Sequence, residues 1–234
     1  MNVLIIAAHP DDEILGMGGT IAKHTSQHDN VTIIYMATGI TARRKSAEYK
    51  IKSIPKKIQE KWQQEIEKLQ QDARKSAKLL KVKTVKFFDF PDNEMDGIHL
   101  LKVVKVIEKE IESVKPDVIY TNHYSDLNVD HKVVYNATLA ACRPSSFPVK
   151  EIISFEVLSS TEWSYPYNFN PNYFINIEKY LEKKIKAMEL FTSEIRKFPH
   201  PRSSENIKHV ASRWGTVSGF NAAEAFEIIR RFNK

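Results

Sequence analysis

Short apolar runs alternate with amphipathic stretches over the first 145 residues, and this alternation limits the possible folds more than any other feature. Runs rich in Val, Ile and aromatic residues predict buried strands at 3–8, 31–37, 82–90, 117–121 and 151–158. The stretches between them have helical spacing and predict helices at 13–26, 55–80, 97–114 and 129–142. Strands that alternate with helices favour a parallel sheet covered on its faces.

The remaining third of the chain is less regular. Residues 159–176 are polar, aromatic and proline-containing, which predicts a loop that forms a wall of a site, and residues 178–197 and 220–232 have helical spacing. Since the chain has no repeat or composition break, we expect one domain over residues 1–234, with a core at 1–158 and a helical C-terminal part at 176–234. The predicted fold class is α/β: a single-domain, Rossmann-like, mainly parallel sheet with helices on both faces.

The composition narrows the range of partners. The net charge is +6, but the lysines alternate with glutamates, as in residues 56–75, which favours a solvated helix face over a nucleic-acid partner. There is no apolar run of roughly 18 residues and no basic region before the first apolar run, so we expect neither a membrane segment nor a secretory leader. The single cysteine, Cys142, excludes an internal disulfide and favours a reducing, cytoplasmic location.

Polar segments follow four of the predicted strands. In chain order they read HPDDE at 9–13, TGITARR at 38–44, PDNEMD at 91–96 and NHYSDLNVDH at 122–131. In open parallel sheets, ligands bind beyond the carboxyl ends of the strands, so these segments are expected to converge on one site.

The first and last of these segments contain the residue types of a metal site. Asp11, Asp12 and Glu13 repel one another unless a cation lies between them, and the last segment offers His123, Asp126, Asp130 and His131. Two histidines and one carboxylate with an open position form a catalytic zinc arrangement, in which the pKa of a bound water falls from 15.7 to about 7. Taken alone, the acids of the first segment are also explained as a helix cap.

The other polar residues have two interpretations each. Asp11 is a candidate general base, and Glu13 would cap backbone amides or orient a ligand. Further candidates for contacts with substrate hydroxyls or phosphate are Arg43, Arg44, Asp92, Asn93 and Asp96. An ordinary polar turn explains the presence of these residues equally well. The aromatic residues of the loop could stack on a sugar face, but packing explains them somewhat better: Trp163, Tyr165 and Tyr167.

The sequence AHPDDE after a first strand, with a later Asp-His pair that opens a helix, resembles the LmbE-like (PIG-L) family of zinc-dependent N-acetylglucosaminyl deacetylases. The resemblance covers residues 1 to about 145 and, more weakly, the tail PHPRSSENI…AAEAF. It implies that His9, Asp12 and His131 bind one zinc ion, although iron(II) would also suit these ligands, and that Asp11 is the general base.

One position departs from the family pattern. The second motif of the family usually reads H-P-D-H, whereas Asn128 stands here in place of its first histidine. Asparagine can hydrogen-bond an oxyanion but cannot supply a proton at neutral pH. Either His123 is then the general acid, or Asp11 carries the proton in both directions.

These observations predict a metal-dependent hydrolase that removes the N-acetyl group from an amino sugar or its nucleotide, lipid or glycan conjugate, by a metal-bound water with Asp11 as base. Glu13, Asp130, Asp92 and Arg43 are expected around the ligands or the substrate. The alternatives are a phosphoesterase with two metals and a non-catalytic sugar- or nucleotide-binding protein. Assembly into a homo-oligomer is compatible with all three.

Overall fold

A computed structural model of the chain describes residues 1–43, 54–147 and 149–233. The strands are β1 (Asn2–Ala7), β2 (Asn30–Ala37), β3 (Thr84–Phe90), β4 (Val118–Asn122), β5 (Glu151–Phe155), β6 (Tyr173–Asn176) and β7 (Ala223–Arg231). The helices are α1 (Asp12–Ser26), α2 (Lys56–Leu79), α3 (Leu100–Val114), α4 (Val129–Ala141), α5 (Leu181–Glu189) and α6 (Ser204–Ser218).

The strands form one sheet in the order β3-β2-β1-β4-β5-β7-β6. Strands β3, β2, β1, β4 and β5 are parallel, whereas β7 runs antiparallel to both of its neighbours. The chain moves outward from β1 through β2 to β3 and then returns to add β4 on the other side of β1. A crevice therefore opens beyond the carboxyl ends of β1 and β4, which is where open α/β sheets bind ligands.

Each face of the sheet has its own apolar core, as predicted. Along β1, Val3 and Ile5 lie in one core and Leu4 and Ile6 in the other, because successive side chains of a strand point to opposite faces. Helices α1, α2, α5 and α6 contribute to the first core, and α3 and α4 contribute to the second. The expectation of a mainly parallel sheet with helices on both faces is confirmed.

The glycines of α1 allow close packing. A Cβ at Gly16 would lie 2.4 Å from the carbonyl oxygen of Glu156, and one at Gly19 would lie 2.8 Å from the side chain of Ile177. Any larger residue at these two positions would push α1 away from β5 and from the segment that follows β6.

The C-terminal part differs from the prediction. Residues 220–232, predicted as helix, contain β7, and residues 173–176, predicted as loop, form β6. The predicted helix at 178–197 is shortened to α5, while α6 was not predicted. Ala, Glu and Arg in β7 favour a helix intrinsically, but strand pairing with β5 and β6 overrides that preference.

Two further features bear on the expectations from composition. Cys142 is fully buried just beyond α4. Among residues 1–43, 54–147 and 149–233, no helix is both long enough and apolar enough to cross a lipid bilayer.

Candidate metal site and its cleft

A tight turn connects β1 to α1 and carries the first group of site residues. Asp11 adopts φ = 112°, in the left-handed region that non-glycine residues rarely occupy. Two acids satisfy backbone amides of the turn: Asp12 Oδ2 accepts from His9 N at 2.9 Å, and Glu13 Oε2 accepts from Asp11 N at 3.2 Å. These bonds stabilise the turn itself, whereas Asp11, the N-cap residue of α1, makes no side-chain cap hydrogen bond.

His9, Asp12 and His131 meet where β1 and β4 end. The Nδ1 atom of His9 lies 3.3 Å from Nε2 of His131 and 3.7 Å from Oδ2 of Asp12, and Nε2 of His131 lies 3.2 Å from the same Asp12 oxygen. Asn122 joins the two strand ends, since it accepts a hydrogen bond from Ala8 N and donates one to Asp12. All three candidate ligands are less than a tenth exposed.

The outer nitrogen of each histidine faces a different carboxylate. Nε2 of His9 lies 3.0 Å from Asp130 Oδ2, and Nδ1 of His131 lies 3.1 Å from Asp126 Oδ2. Such carboxylate partners fix the tautomer and orientation of histidines that bind metals. Burial alone would lower the pKa of His131, but the charges of Asp12 and Asp126 outweigh it and raise that pKa to about 9.

The donor set and its geometry fit a divalent metal. One ligand atom from each of His9, Asp12 and His131 lies within 4.8 Å of the others, and imidazole nitrogen with carboxylate oxygen is a zinc ligand set. Burial would raise the pKa of Asp12, but His131 and His9 more than offset this and hold that pKa well below its usual range.

A second group, made of His9, Asp92 and Asp130, has similar spacing. Its oxygens are already used by the backbone, however. Asp130 accepts hydrogen bonds from Asn93 N at 2.6 Å and from Met95 N at 3.1 Å, and Asp92 Oδ2 accepts from Ala42 N at 2.9 Å.

Asp92 and Asp130 therefore act as acceptors that orient His9 from its outer side. The group of His9, Asp12 and His131 is the better candidate metal site.

Asp11 lies beside this group and pairs with a residue from the C-terminal part. The Nη1 atom of Arg202 is 3.0 Å from Asp11 Oδ2 and 2.7 Å from Glu194 Oε2, while its Nε donates to Ser159 Oγ at 2.7 Å. Burial raises the pKa of Asp11 to about 7, against the opposing charge of Arg202. Sequence reasoning did not single out Arg202 or Glu194, although Arg202 belongs to the tail that carries the weaker part of the resemblance.

The candidate ligands line a polar cleft of about 290 Å³. Its other walls come from the segments beyond β3, β4, β5 and α5. They include Asn93, Asn128, Ser159, Ser160, Glu194 and Arg196. Three of the four polar segments that were expected to converge do so here, and Gly39 and Ala42 bring the described part of the fourth to the same cleft.

Asn128 and His123 are placed differently. Asn128 lines the cleft and caps α4, where its Oδ1 accepts a hydrogen bond from Asp130 N at 2.9 Å. His123 is fully buried and is not one of the described residues that line the cleft. Its Nδ1 accepts from Ser125 N at 3.2 Å, and its Nε2 lies 3.1 Å from Glu227 Oε2. The structure therefore does not bring His123 to the cleft, and of the two expected proton carriers only Asp11 lies there; a role of His123 as general acid stays a prediction.

The remaining candidates lie around the ligands or away from them. Glu13 accepts a 2.5 Å hydrogen bond from Tyr35, and burial raises its pKa to about 8; its role in orienting a ligand stays a prediction. The side chain of Arg43 and all of Arg44 lie outside the described residues.

Asp96 and the aromatic loop are exposed. Asp96 does not line the cleft, and neither do the loop aromatics Trp163, Tyr165 and Tyr167. Tyr165 is 97% exposed, whereas Trp163 is 52% exposed and contacts the ring of His200 edge-on; stacking on a sugar stays a prediction.

Comparison with known proteins identifies the class to which this fold and site belong. The model of the PIG-L family, described as GlcNAc-PI de-N-acetylase, matches residues 4–142, which is more than half of the chain. The chain belongs to the PIG-L family. The matched region holds the candidate ligands and Asp11, whereas the segment that carries Arg202 lies beyond it.

Individual relatives are distant but extend over nearly the whole chain. Diacetylchitobiose deacetylase from Thermococcus kodakarensis is 23% identical over 97% of this chain and 83% of its own length. The structure of N,N'-diacetylchitobiose deacetylase from Pyrococcus horikoshii matches with a TM-score of 0.75 at 21% identity, over 97% of this chain and 83% of that one. The 4-carboxy-2-hydroxymuconate hydratase from Pseudomonas putida matches with a TM-score of 0.69 at 18% identity, over 100% of this chain and 98% of that one. Because a hydratase shares the fold, the activity has to be argued from the site.

Proposed function

We propose that this chain is a metal-dependent N-deacetylase that hydrolyses the acetamide of an N-acetylated amino sugar or amino-sugar conjugate. The observation that carries this proposal is the buried group of His9, Asp12 and His131 at one side of a polar cleft, with Asp11 beside it. The description of the family and the names of the deacetylase relatives support the same reaction class.

The proposed metal is one zinc ion per chain, held by His9, Asp12 and His131. When bound, zinc would act as a Lewis acid for the acyl carbonyl and for the attacking water. Two histidines and a carboxylate are also the ligands of many iron(II) sites, so iron(II) is the alternative to test.

Asp11 is the proposed general base. Arg202 pairs with Oδ2 of Asp11. Oδ1 of Asp11 is then the oxygen that takes the proton from water as the water attacks the acetyl carbon. Because Arg202 is also bound to Glu194 and Ser159, the carboxylate is held in one orientation before the substrate arrives.

Asn128 is the proposed donor to the oxyanion. Its Oδ1 is occupied by the backbone of α4, which leaves the amide NH₂ as the group that can donate toward the cleft. As the C–N bond breaks, the leaving amine needs a proton, and His123 lies outside the cleft. We assign that proton to Asp11, which returns the one it took from water, so that the products are the free amine and acetic acid, which ionises to acetate as it releases the second proton of the water.

The substrate class follows from the size and polarity of the cleft. A volume of about 290 Å³ is at the lower end of ligand pockets and suits one sugar unit with its acetamide. Asn93 and Arg196 offer hydrogen-bonding groups for sugar hydroxyls. The rest of a nucleotide, lipid or glycan conjugate would then extend out of the cleft.

The test is a screen for amine release by the zinc-loaded protein. The panel contains N-acetylglucosamine, its nucleotide and lipid conjugates, and N-acetylated disaccharides. We expect at least one of them to yield amine and acetate in equal amounts, with activity lost on chelation and restored by zinc. If the whole panel stays acetylated, the proposal is wrong. Phosphate release together with two metals per chain would instead support the phosphoesterase alternative.

A further inference from the structure

Asp126 is a buried carboxylate that the proposed chemistry does not use. It is fully buried and accepts hydrogen bonds from Asn128 N at 2.8 Å, from Thr161 Oγ1 at 2.6 Å and from the Ser160 hydroxyl. Its Oδ2 also lies 3.1 Å from Nδ1 of His131. Every neighbour presents a donor, so this carboxylate joins a candidate metal ligand to two hydroxyls of a distant segment.

The contact with His131 determines which of its nitrogens can bind a metal. A neutral imidazole has one N–H and one lone pair. When the proton is on Nδ1, the nitrogen that faces Asp126 Oδ2 at 3.1 Å, the lone pair lies on Nε2, the atom that is 3.2 Å from Asp12 Oδ2. Asp126 thus places the lone pair of His131 toward the other two candidate ligands.

The hydroxyl contacts connect this arrangement to the wall of the cleft. Ser159 and Ser160 line the cleft, and the carboxylate of Glu162 accepts hydrogen bonds from both of their backbone amides. Thr161 is 1% exposed and does not line the cleft; its Oγ1 donates to Asp126 and accepts from Val157 N, and no hydrogen bond joins it to a candidate ligand among the described residues. Its effect on a metal would therefore have to pass through Asp126.

We propose that Asp126 is a positioning residue that fixes His131 as a metal ligand, and that the loop at 159–162 sets the metal affinity by holding Asp126 through the hydroxyls of Ser160 and Thr161. This inference rests on the metal site of the proposed function but not on the reaction or its substrate. It assigns to the loop a second role besides forming the wall of the cleft.

The test measures the affinity of the metal-free protein for Zn²⁺ by competition with a chelator of known affinity. Asp126→Asn should raise the Kd about 10–100-fold, the usual effect of losing a carboxylate partner of a ligand histidine. Thr161→Val removes one hydroxyl donor to Asp126 and should raise the Kd about fivefold, the equivalent of one hydrogen bond. Thr161→Ser keeps the hydroxyl and should restore the wild-type value.

The matched control is Thr138→Val. Thr138 is a fully buried threonine of α4 whose hydroxyl hydrogen-bonds Val134 O and Thr121, and Asp126 is not among its hydrogen-bond partners. A purely structural role predicts that Thr161→Val and Thr138→Val both lower Tm and both leave the Kd for Zn²⁺ unchanged, and that result would overturn the inference. Wild-type affinity in Asp126→Asn would also overturn it.

The proposed function can fail separately. A chain that binds Zn²⁺ with the expected order of affinities but releases no amine from any substrate would refute the deacetylase proposal and keep this inference. A wild-type chain that binds no Zn²⁺ would refute both.

Discussion

The strand ends at the centre of the parallel sheet and the C-terminal part of the chain contribute differently to the cleft. The ends of β1 and β4, in the parallel half, carry the candidate ligands and Asp11. The segments beyond β5 and α5 carry Ser160, Glu194 and Arg202, which contact those residues or their partners from outside. The parallel half thus holds the groups that would react, and the C-terminal part holds them in place.

The difference has a physical origin. Neighbouring parallel strands bring their carboxyl ends together through backbone register, here reinforced by the hydrogen bond from Ala8 N to Asn122. The C-terminal part reaches the site through ion pairs and hydroxyls, which depend on single side chains. We therefore expect substitutions at the ends of β1 and β4 to remove activity. Substitutions of the side chains that join these strand ends to the C-terminal part should instead alter the stability of the fold.

The largest effect on turnover is expected from Asp11→Asn. Asparagine tolerates the left-handed backbone of this turn but cannot accept the proton of the attacking water. Loss of a general base usually costs about 10²–10⁴-fold in rate, and the metal content should stay at the wild-type level. Asp96→Asn, the same change at an exposed site outside the cleft, is the control. Near-normal turnover of the Asp11 variant on the true substrate would exclude this residue as the base.

A smaller loss of turnover is expected from Asn128→Ala. If the amide of Asn128 is a lone oxyanion donor, its removal raises the activation free energy by about 2–4 kcal/mol. This variant also removes the cap of α4, which by itself costs about 1 kcal/mol of stability. Asn128→Ser keeps a capping oxygen and separates the two effects. Equal kcat values for wild type and the serine variant would show that the amide does not contribute to turnover.

His123→Ala tests a contact between the end of β4 and the C-terminal part. His123 lies between the β4 end and Glu227 of β7, so its removal should lower the free energy of unfolding by about 2–3 kcal/mol through lost hydrogen bonds. The shape of the pH–rate profile should not change, because the ring is outside the cleft. His99→Ala, at an exposed position, serves as the control. A flattened basic limb in the His123 variant would instead make this residue the general acid.

Glu156→Gln should affect stability alone. Burial raises the pKa of Glu156 to about 7 from 4.5, while its Oε1 accepts a hydrogen bond from Trp214 Nε1. The folded state therefore binds a proton that the unfolded state has lost, and wild type loses stability as pH rises from about 4.5 to 7, by at most about 3 kcal/mol. Urea unfolding should show the variant more stable than wild type at pH 8 and equal to it at pH 4. An equal difference at both pH values would contradict this account.

The sequence was sufficient for the parallel half because the relevant signals there are local. Each strand is a short apolar run with a polar segment at its end, and His9, Asp12 and His131 all lie in such segments. Topology then brings the segments together without any need to know individual contacts. Asp126 could be identified from the sequence as a member of the segment at 122–131, but its hydroxyl partners Ser160 and Thr161 could not.

The C-terminal part could not be predicted in this way because its structure depends on distant pairing. Residues 223–231 contain good helix formers and become a strand only between β5 and β6. The contact of Arg202 with Asp11 joins opposite ends of the chain, and no periodicity or spacing indicates it. The position of His123 could not be predicted for a related reason, since its Nε2 faces Glu227 of β7, which is distant in sequence.

The central claim is that His9, Asp12 and His131 form one metal site, and metal analysis tests it most directly. Wild-type protein and His131→Ala are purified with zinc present, dialysed, checked for folding by circular dichroism, and assayed for metal per chain. The account predicts one divalent metal per wild-type chain and almost none in the folded variant, because a site with two ligands holds zinc weakly. Unchanged metal content in His131→Ala, or two metals per wild-type chain, would contradict it.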